Sequence, residues 1–299
     1  MGGLDTVDPL AWDGHAPTWA VLLIAVSLTI VGHRRLLRSS TRPIRWSRHQ
    51  IGFFAGACGA LAVALTWPVA DLAAHWSLTA LVIQRLILVL GVAPMLLLGL
   101  PHDILEWITR PAYVDAILVR LRRPPVAIVT VTVLLVGSMV PAVVRTQASS
   151  PWVRGLLFVA TLAAGLVLWL PVLGRVPGIP RLRPMVRFGY LAAQAVVPAF
   201  LSFVLILAPH PLYGTFAGSR MAIGLRPLND QQIAGFVSKL TMLIVLLAVG
   251  TVFLLRTDEE STPDDPLLWA DVQRQFERAD RRGATDRPAS PETTPGLPH

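Results

Sequence analysis

The sequence is poor in several residue types, with one cysteine, one lysine and three tyrosines in 299 positions and only 15% of its side chains charged. A lone Cys58 excludes an intramolecular disulfide framework and any CxxC metal or redox pair. HExxH, the phosphate-binding P-loop, the dinucleotide glycine fingerprint and the GxSxG elbow are all missing, so no enzyme template is met and the chain reads as a non-enzyme. The scarcity of charge stands against 54% hydrophobic residues and a mean hydropathy of +0.59. One soluble core of this length could not hide that much apolar surface, which excludes an ordinary soluble domain. The net charge of +8 lies in short loops between apolar runs and forms no basic face or motif, so nucleic acid is excluded as a partner.

What is present is long apolar runs. A bilayer crossing needs roughly 20 mostly apolar residues wound as a helix, because nothing in the hydrocarbon satisfies a free backbone. Seven segments qualify: Pro17 to Gly32, Gln50 to Ala70, Thr79 to Leu100, Val126 to Val144, Arg154 to Leu173, Val186 to Ala208 and Gln232 to Leu255. The expected fold is an all-α, polytopic seven-helix bundle in a lipid bilayer. It divides into a segment 1–16, a transmembrane domain 17–255 and a tail 256–299. The first run is flanked by Asp5, Asp8 and Asp13 before and Arg34, Arg35 and Arg38 after, the reverse of a secretory signal.

Alternate loops set the orientation. Those after spans one, three and five, with the tail, carry 20 basic residues against four on the other side. The positive-inside rule therefore predicts the N-terminus outside and the C-terminus in the cytoplasm. Gly52, Gly56 and Ala60 form a small-residue stripe that predicts close helix contact, and Pro94, Pro141, Pro171 and Pro198 are placed to kink spans. In the tail, which carries ten acidic and six basic residues, Asp265-Pro266 can start one helix, and disorder is expected beyond Gly283.

Two cations, Arg85 and Lys239, fall inside spans at similar predicted depth. An ionisable residue in a span faces a partner or a wet cavity, or else snorkels to the headgroups. The functional reading is an anion or partner pocket of Arg85 and Lys239 with Gln84, Gln231 and Gln232, where Asp71 or Asp230 supplies counter-charge. For metal, imidazole and thioether on the predicted outer face nominate His75 and His210, with His15 or Met221, as copper ligands. A lone loop histidine is more often simply solvated, so a cofactor is not required by the sequence.

Several stretches resemble the CtaG-like family of cytochrome c oxidase assembly factors, bacterial seven-helix proteins associated with caa-type oxidases. They are Phe53 to Pro68, Gln84-Arg85-Leu86-Ile87-Leu88, Ala93 to Pro101, Leu168-Trp169-Leu170-Pro171-Val172-Leu173-Gly174, Pro211-Leu212-Tyr213 and Pro227-Leu228-Asn229-Asp230-Gln231-Gln232-Ile233-Ala234-Gly235. The last is similar to the family's Asp-Gln-Gln-x-Ala-Gly start of span seven. The resemblance implies a role in oxidase assembly, with haem-copper oxidase subunits as partners and copper as the metal handled. Family members commonly show a His-x-x-x-His pair where this chain has Leu81 and Arg85, and a second pair near Arg154 and Phe158. All four positions lack histidine here, so copper could not be held by those ligands. The alternatives are a membrane transporter or channel-like protein, which needs a wet path joining both faces, and a non-catalytic membrane scaffold.

Overall fold

The computed structural model describes residue 27 and residues 46–255 other than 67, 122, 177, 178, 180, 181 and 217–223, without the side chains of 197 and 198. The chain divides into two units, Met1–Leu254 and Leu255–His299, and the helical bundle belongs to the first. The expected span Pro17 to Gly32 and the tail lie outside the described residues apart from residue 27.

All described elements are helical. They are α1 (Arg48–Leu65), α2 (Val69–Trp76), α3 (Leu78–Gly99), α4 (His102–Thr109), α5 (Ala112–Leu121), α6 (Pro124–Ser138), α7 (Pro141–Ser149), α8 (Pro151–Leu173), α9 (Pro184–Leu207) and α10 (Pro227–Leu255). Four of them, α3, α8, α9 and α10, are long and apolar enough to cross a membrane. The pairs α1 with α2 and α6 with α7 pass the same test together, bent by 51° and 62°, which raises the number to six if each pair is one span. Large side chains such as Phe200, Leu207, Val159 and Ile244 stand exposed on these helices, 62 to 77% accessible, as surfaces meant for lipid do.

Prolines punctuate this fold more than they kink it. Pro124, Pro141, Pro151, Pro184 and Pro227 all stand at helix starts, where a missing N–H costs nothing. The span expected from Val126 to Val144, with Pro141 placed to kink it, is broken there: α6 stops at Ser138 and Pro141 opens α7. The run is apolar throughout, so hydropathy alone does not show the break. At α1, the start lies before Gln50 because Ser47 and Gln50 form a capping box, with Ser47 Oγ accepting from the Gln50 amide at 3.1 Å and Gln50 Oε1 accepting from the Ser47 amide at 2.9 Å.

Inside α3, residues Ile87–Val92 take the wider π register, in which the Ala93 amide reaches back to the Leu88 carbonyl. The next bond in that register would run from residue 94 to Val89, but Pro94 has no N–H. The Trp169 indole supplies it instead, donating to the Val89 carbonyl at 2.8 Å and tying α8 to α3. In α8, Tyr190 Oη from α9 donates to the Leu168 carbonyl at 3.1 Å, and Gly174, at φ 58°, ends the helix in the left-handed conformation. The motif Leu168 to Gly174 thus makes helix contacts and a helix end.

The tightest approach of α1 and α3 is at Gly99, while within the stripe a Cβ on Gly56 would meet Met95 Sδ at 3.4 Å and Ala60 packs against the cluster of Leu88 and Val92. A Cβ on Gly52 would meet nothing within 4 Å, whereas one on Gly99 would fall 2.6 Å from the Phe54 nitrogen. Ala57 and Ala64 are the fully buried small residues of α1. One apolar cluster joins Val89, Ala93, Leu168, Leu191 and Leu246, and a second gathers Leu78, Leu81, Val82, Met139, Leu205 and Tyr213 where α3 and α10 begin.

Candidate functional site

At that end of the bundle polar side chains bind backbone groups of neighbouring helices. Asp230, fully buried in the first turn of α10, accepts from Ser77 Oγ at 2.9 Å, from the Leu78 amide at 2.7 Å and from the Thr79 amide at 3.3 Å. The first amides of a helix carry partial positive charge and have no partner inside it, so a carboxylate placed there meets both needs. Thr79 Oγ1 returns a bond to the Asp230 carbonyl at 2.9 Å.

Gln231 and Gln232 face the other neighbour, α9. Gln231 Oε1 accepts from the Leu212 amide at 2.7 Å, while its Nε2 donates to the Leu205 carbonyl at 3.1 Å. Gln232 Nε2 donates to the Ile206 carbonyl at 3.2 Å. Those carbonyls belong to the last turn of α9, which has no amides beyond it to satisfy them. Gly235 completes the contact: a Cβ there would lie 2.9 Å from the Ser202 carbonyl oxygen and 2.8 Å from Ile206 Cγ1. The Asp-Gln-Gln-x-Ala-Gly element is a three-helix clasp, with Asp230 holding α3 and the glutamines and glycine holding α9.

Arg85 and Tyr213 hold the α6 to α7 break. The guanidinium, 9% exposed, donates to Ser138 Oγ at 2.9 Å, the Ser138 carbonyl at 3.2 Å and Gln147 Oε1 at 3.0 Å. Tyr213 Oη donates to the Met139 carbonyl at 2.7 Å. Burial pushes the Tyr213 phenol up to about 12, with the Arg85 charge pulling the other way, so it remains a donor at neutral pH. Arg85 also lines a cavity of about 60 Å³ with Val89, Met139, Ser202, Ser238 and Met242.

The remaining candidate residues take separate places. Gln84 Nε2 donates to the Ala64 carbonyl at 2.6 Å, joining α3 to α1. Counted from the hydrogen bond between Asp230 and Leu78, Arg85 lies seven residues along α3 and Lys239 nine along α10, about 10 and 14 Å at 1.5 Å per residue. Their depths are close but their partners differ. Lys239 Nζ sits 3.7 Å from the Phe203 ring centroid, a cation–π contact, and is half-buried. Asp71 and Arg154 are within electrostatic range of the His75 imidazole. His75 and His210 are both exposed, and His15 and Met221 lie outside the described residues. Among the described residues no three His, Cys, Asp or Glu side chains cluster as a metal site would require. Leu81 is 1% exposed in the apolar cluster, and Phe158 packs against Leu88 and Val92.

Sequence reading missed Ser77, Ser138 and Gln147. Each is a polar residue at or beside a helix end, and no local pattern shows which distant residue it meets. Tyr213 carried a signal, its place in Pro211-Leu212-Tyr213, but not a role.

No curated protein and no solved structure matches the chain. Residues 29–258 match the family described as cytochrome c oxidase caa3 assembly factor. The matched region contains the Asp230 clasp, the Tyr213 and Arg85 supports of the helix break and the Trp169 bond to α3, and over that length the chain belongs to the caa3 cytochrome c oxidase assembly factor family.

Proposed function

We propose that this protein assists maturation of a haem-copper oxidase in the bacterial plasma membrane, at or near copper insertion, without catalysing bond chemistry itself. Family membership across residues 29–258 is the observation that carries this reading. Apolar helices with lipid-suited faces support action within the bilayer, beside a membrane-embedded partner. The partners on this reading are oxidase subunits. Any copper handled would meet His75 and His210, with His15 or Met221, because the family's histidine positions hold Leu81, Arg85, Arg154 and Phe158. The exposure of His75 and His210 supports that ligand set, since a transferred metal has to reach its ligands from outside the fold.

The test is deletion of the gene, followed by haem spectra of isolated membranes and oxygen uptake with and without added copper. Assembled oxidase should fall, and partial rescue by copper would place the step at metal delivery. Unchanged oxidase content and uptake would overturn the assembly reading.

A further inference from the structure

The geometry points to the Arg85 cavity as a binding site for the anionic head of a single-chain or lipid amphiphile. Three observations combine. Arg85 is nine-tenths buried, yet its hydrogen-bond partners, Ser138 Oγ, the Ser138 carbonyl and Gln147 Oε1, are all neutral. These bonds engage three of the five guanidinium N–H groups. Asp230 is committed to Ser77, Leu78 and Thr79, and Asp71 acts on His75 and Arg154. A buried cation without an anion is costly, and a guanidinium cannot shed its charge by deprotonation as a lysine can.

The cavity beside Arg85 measures about 60 Å³, enough for several waters or one carboxylate-sized group. Its wall is aliphatic apart from Arg85, Ser202, Ser238 and the thioethers of Met139 and Met242. A charged head would meet Arg85 and the two hydroxyls, and an acyl tail would meet Val89, Leu201 and Leu205. Two thioethers also suit a soft metal, but the fixed guanidinium charge repels any cation there. The site stands whether or not the assembly role holds.

The test uses the full chain purified in a neutral detergent, with labelled oleate as probe and methyl oleate, acetate and phosphatidylglycerol as competitors. Oleate should bind saturably at one site, and methyl oleate, with the same tail but no charge, should fail to displace it. Arg85→Gln should weaken oleate binding at least tenfold, while Arg85→Lys retains part of it. Displacement by phosphatidylglycerol would identify the head as a lipid phosphate, and its failure would leave a free fatty carboxylate. Acetate should compete only weakly, since it lacks a tail. Should Arg85→Gln fail to fold, Ser238→Leu narrows the cavity with Arg85 and its bonds intact, and it too should weaken oleate. Equal displacement by methyl oleate, undiminished affinity in Arg85→Gln or in Ser238→Leu, or saturable cuprous binding that is lost on Met139→Leu would overturn the proposal.

Discussion

Arg85 and Tyr213 hold consecutive carbonyls of one helix break, the guanidinium donating to Ser138 at 3.2 Å and the phenol to Met139 at 2.7 Å. In a continuous helix those carbonyls would receive the amides four residues on. Here α7 turns away by 62° after Pro141, and in an apolar surrounding the released oxygens need other donors. Two side chains from α3 and from the loop after α9 therefore fix the angle between α6 and α7.

Removing one donor should expose the cost. Tyr213→Phe keeps the ring in its apolar cluster and leaves the Met139 carbonyl unsatisfied, for a loss of about 1–3 kcal/mol. Arg85→Leu strands both the Ser138 carbonyl and Gln147 Oε1 and should lose more. Thermal unfolding in detergent measures both. Proteolysis or hydrogen exchange should show the change first around residues 138–149, and a Tyr213→Phe protein with wild-type melting and protection would deny the phenol this role.

The Asp230 clasp makes a graded prediction. Asp230→Ala leaves the Leu78 and Thr79 amides without their acceptor and removes a charge from the α3 terminus, on the order of 3 kcal/mol. Asp230→Asn keeps the shape but turns an amide donor toward donors, so it should also destabilise. Ser77→Ala removes the cap that Ala80 and Asp230 share, for about 1 kcal/mol. Melting temperatures in that order are expected, and an Asp230→Asn protein as stable as wild type would show that the charge contributes nothing.

Much of the frame was legible because hydrophobic length is a local property. The expected ends of spans three, five and six fall within three residues of α3, α8 and α9. Span seven starts earlier than expected, at Pro227, because Asp230, Gln231 and Gln232 look like a polar loop until their partners are known. Pro141 marked the bend after Ser138, but the apolar run hid that the helix stops there, and α4 and α5 lie in what reads as a basic loop. The site was half legible: depth along a span follows from counting, so Arg85 and Lys239 were placed at similar levels. Direction around the helix does not, and one cation turned to Ser138 and Gln147 while the other turned to Phe203.

Glycine positions separate packing from composition. Gly99→Ala would push a methyl against the Phe54 backbone, and Gly235→Ala would push one against the Ser202 carbonyl, each costing about 1–3 kcal/mol. Gly52→Ala enters open space and gains up to about 1 kcal/mol of helix propensity. Expression and melting of the three variants should rank Gly52→Ala highest. A tolerant Gly99→Ala together with a damaging Gly52→Ala would move the tightest contact of α1 from Gly99 to Gly52.

Orientation rests on the 20 to four distribution of basic residues. With Cys58 replaced by alanine, single cysteines at Thr41 and Arg181 should resist an impermeant thiol reagent in intact cells, and one at Gly218 should react. A protected Gly218 beside a reactive Thr41 would invert the topology and remove His75 and His210 from the outer face.

The copper expectation is conditional on that topology. Cuprous ion favours imidazole and thioether, and with no histidine at Leu81, Arg85, Arg154 or Phe158 the exposed imidazoles of His75 and His210 are the ligands left to test. Arg154 acts on His75 more strongly than Asp71 does, so neighbouring charge disfavours a cation there and the imidazole itself has to supply the affinity. The His75→Ala and His210→Ala double variant is the direct measurement, titrated with cuprous ion under reducing conditions against wild type. If these residues form the site, affinity should fall at least tenfold in the double variant and nearly as far in each single variant, because two-coordinate binding needs both rings. Wild-type affinity in the double variant would move copper handling to His15, Met221 or the oxidase itself.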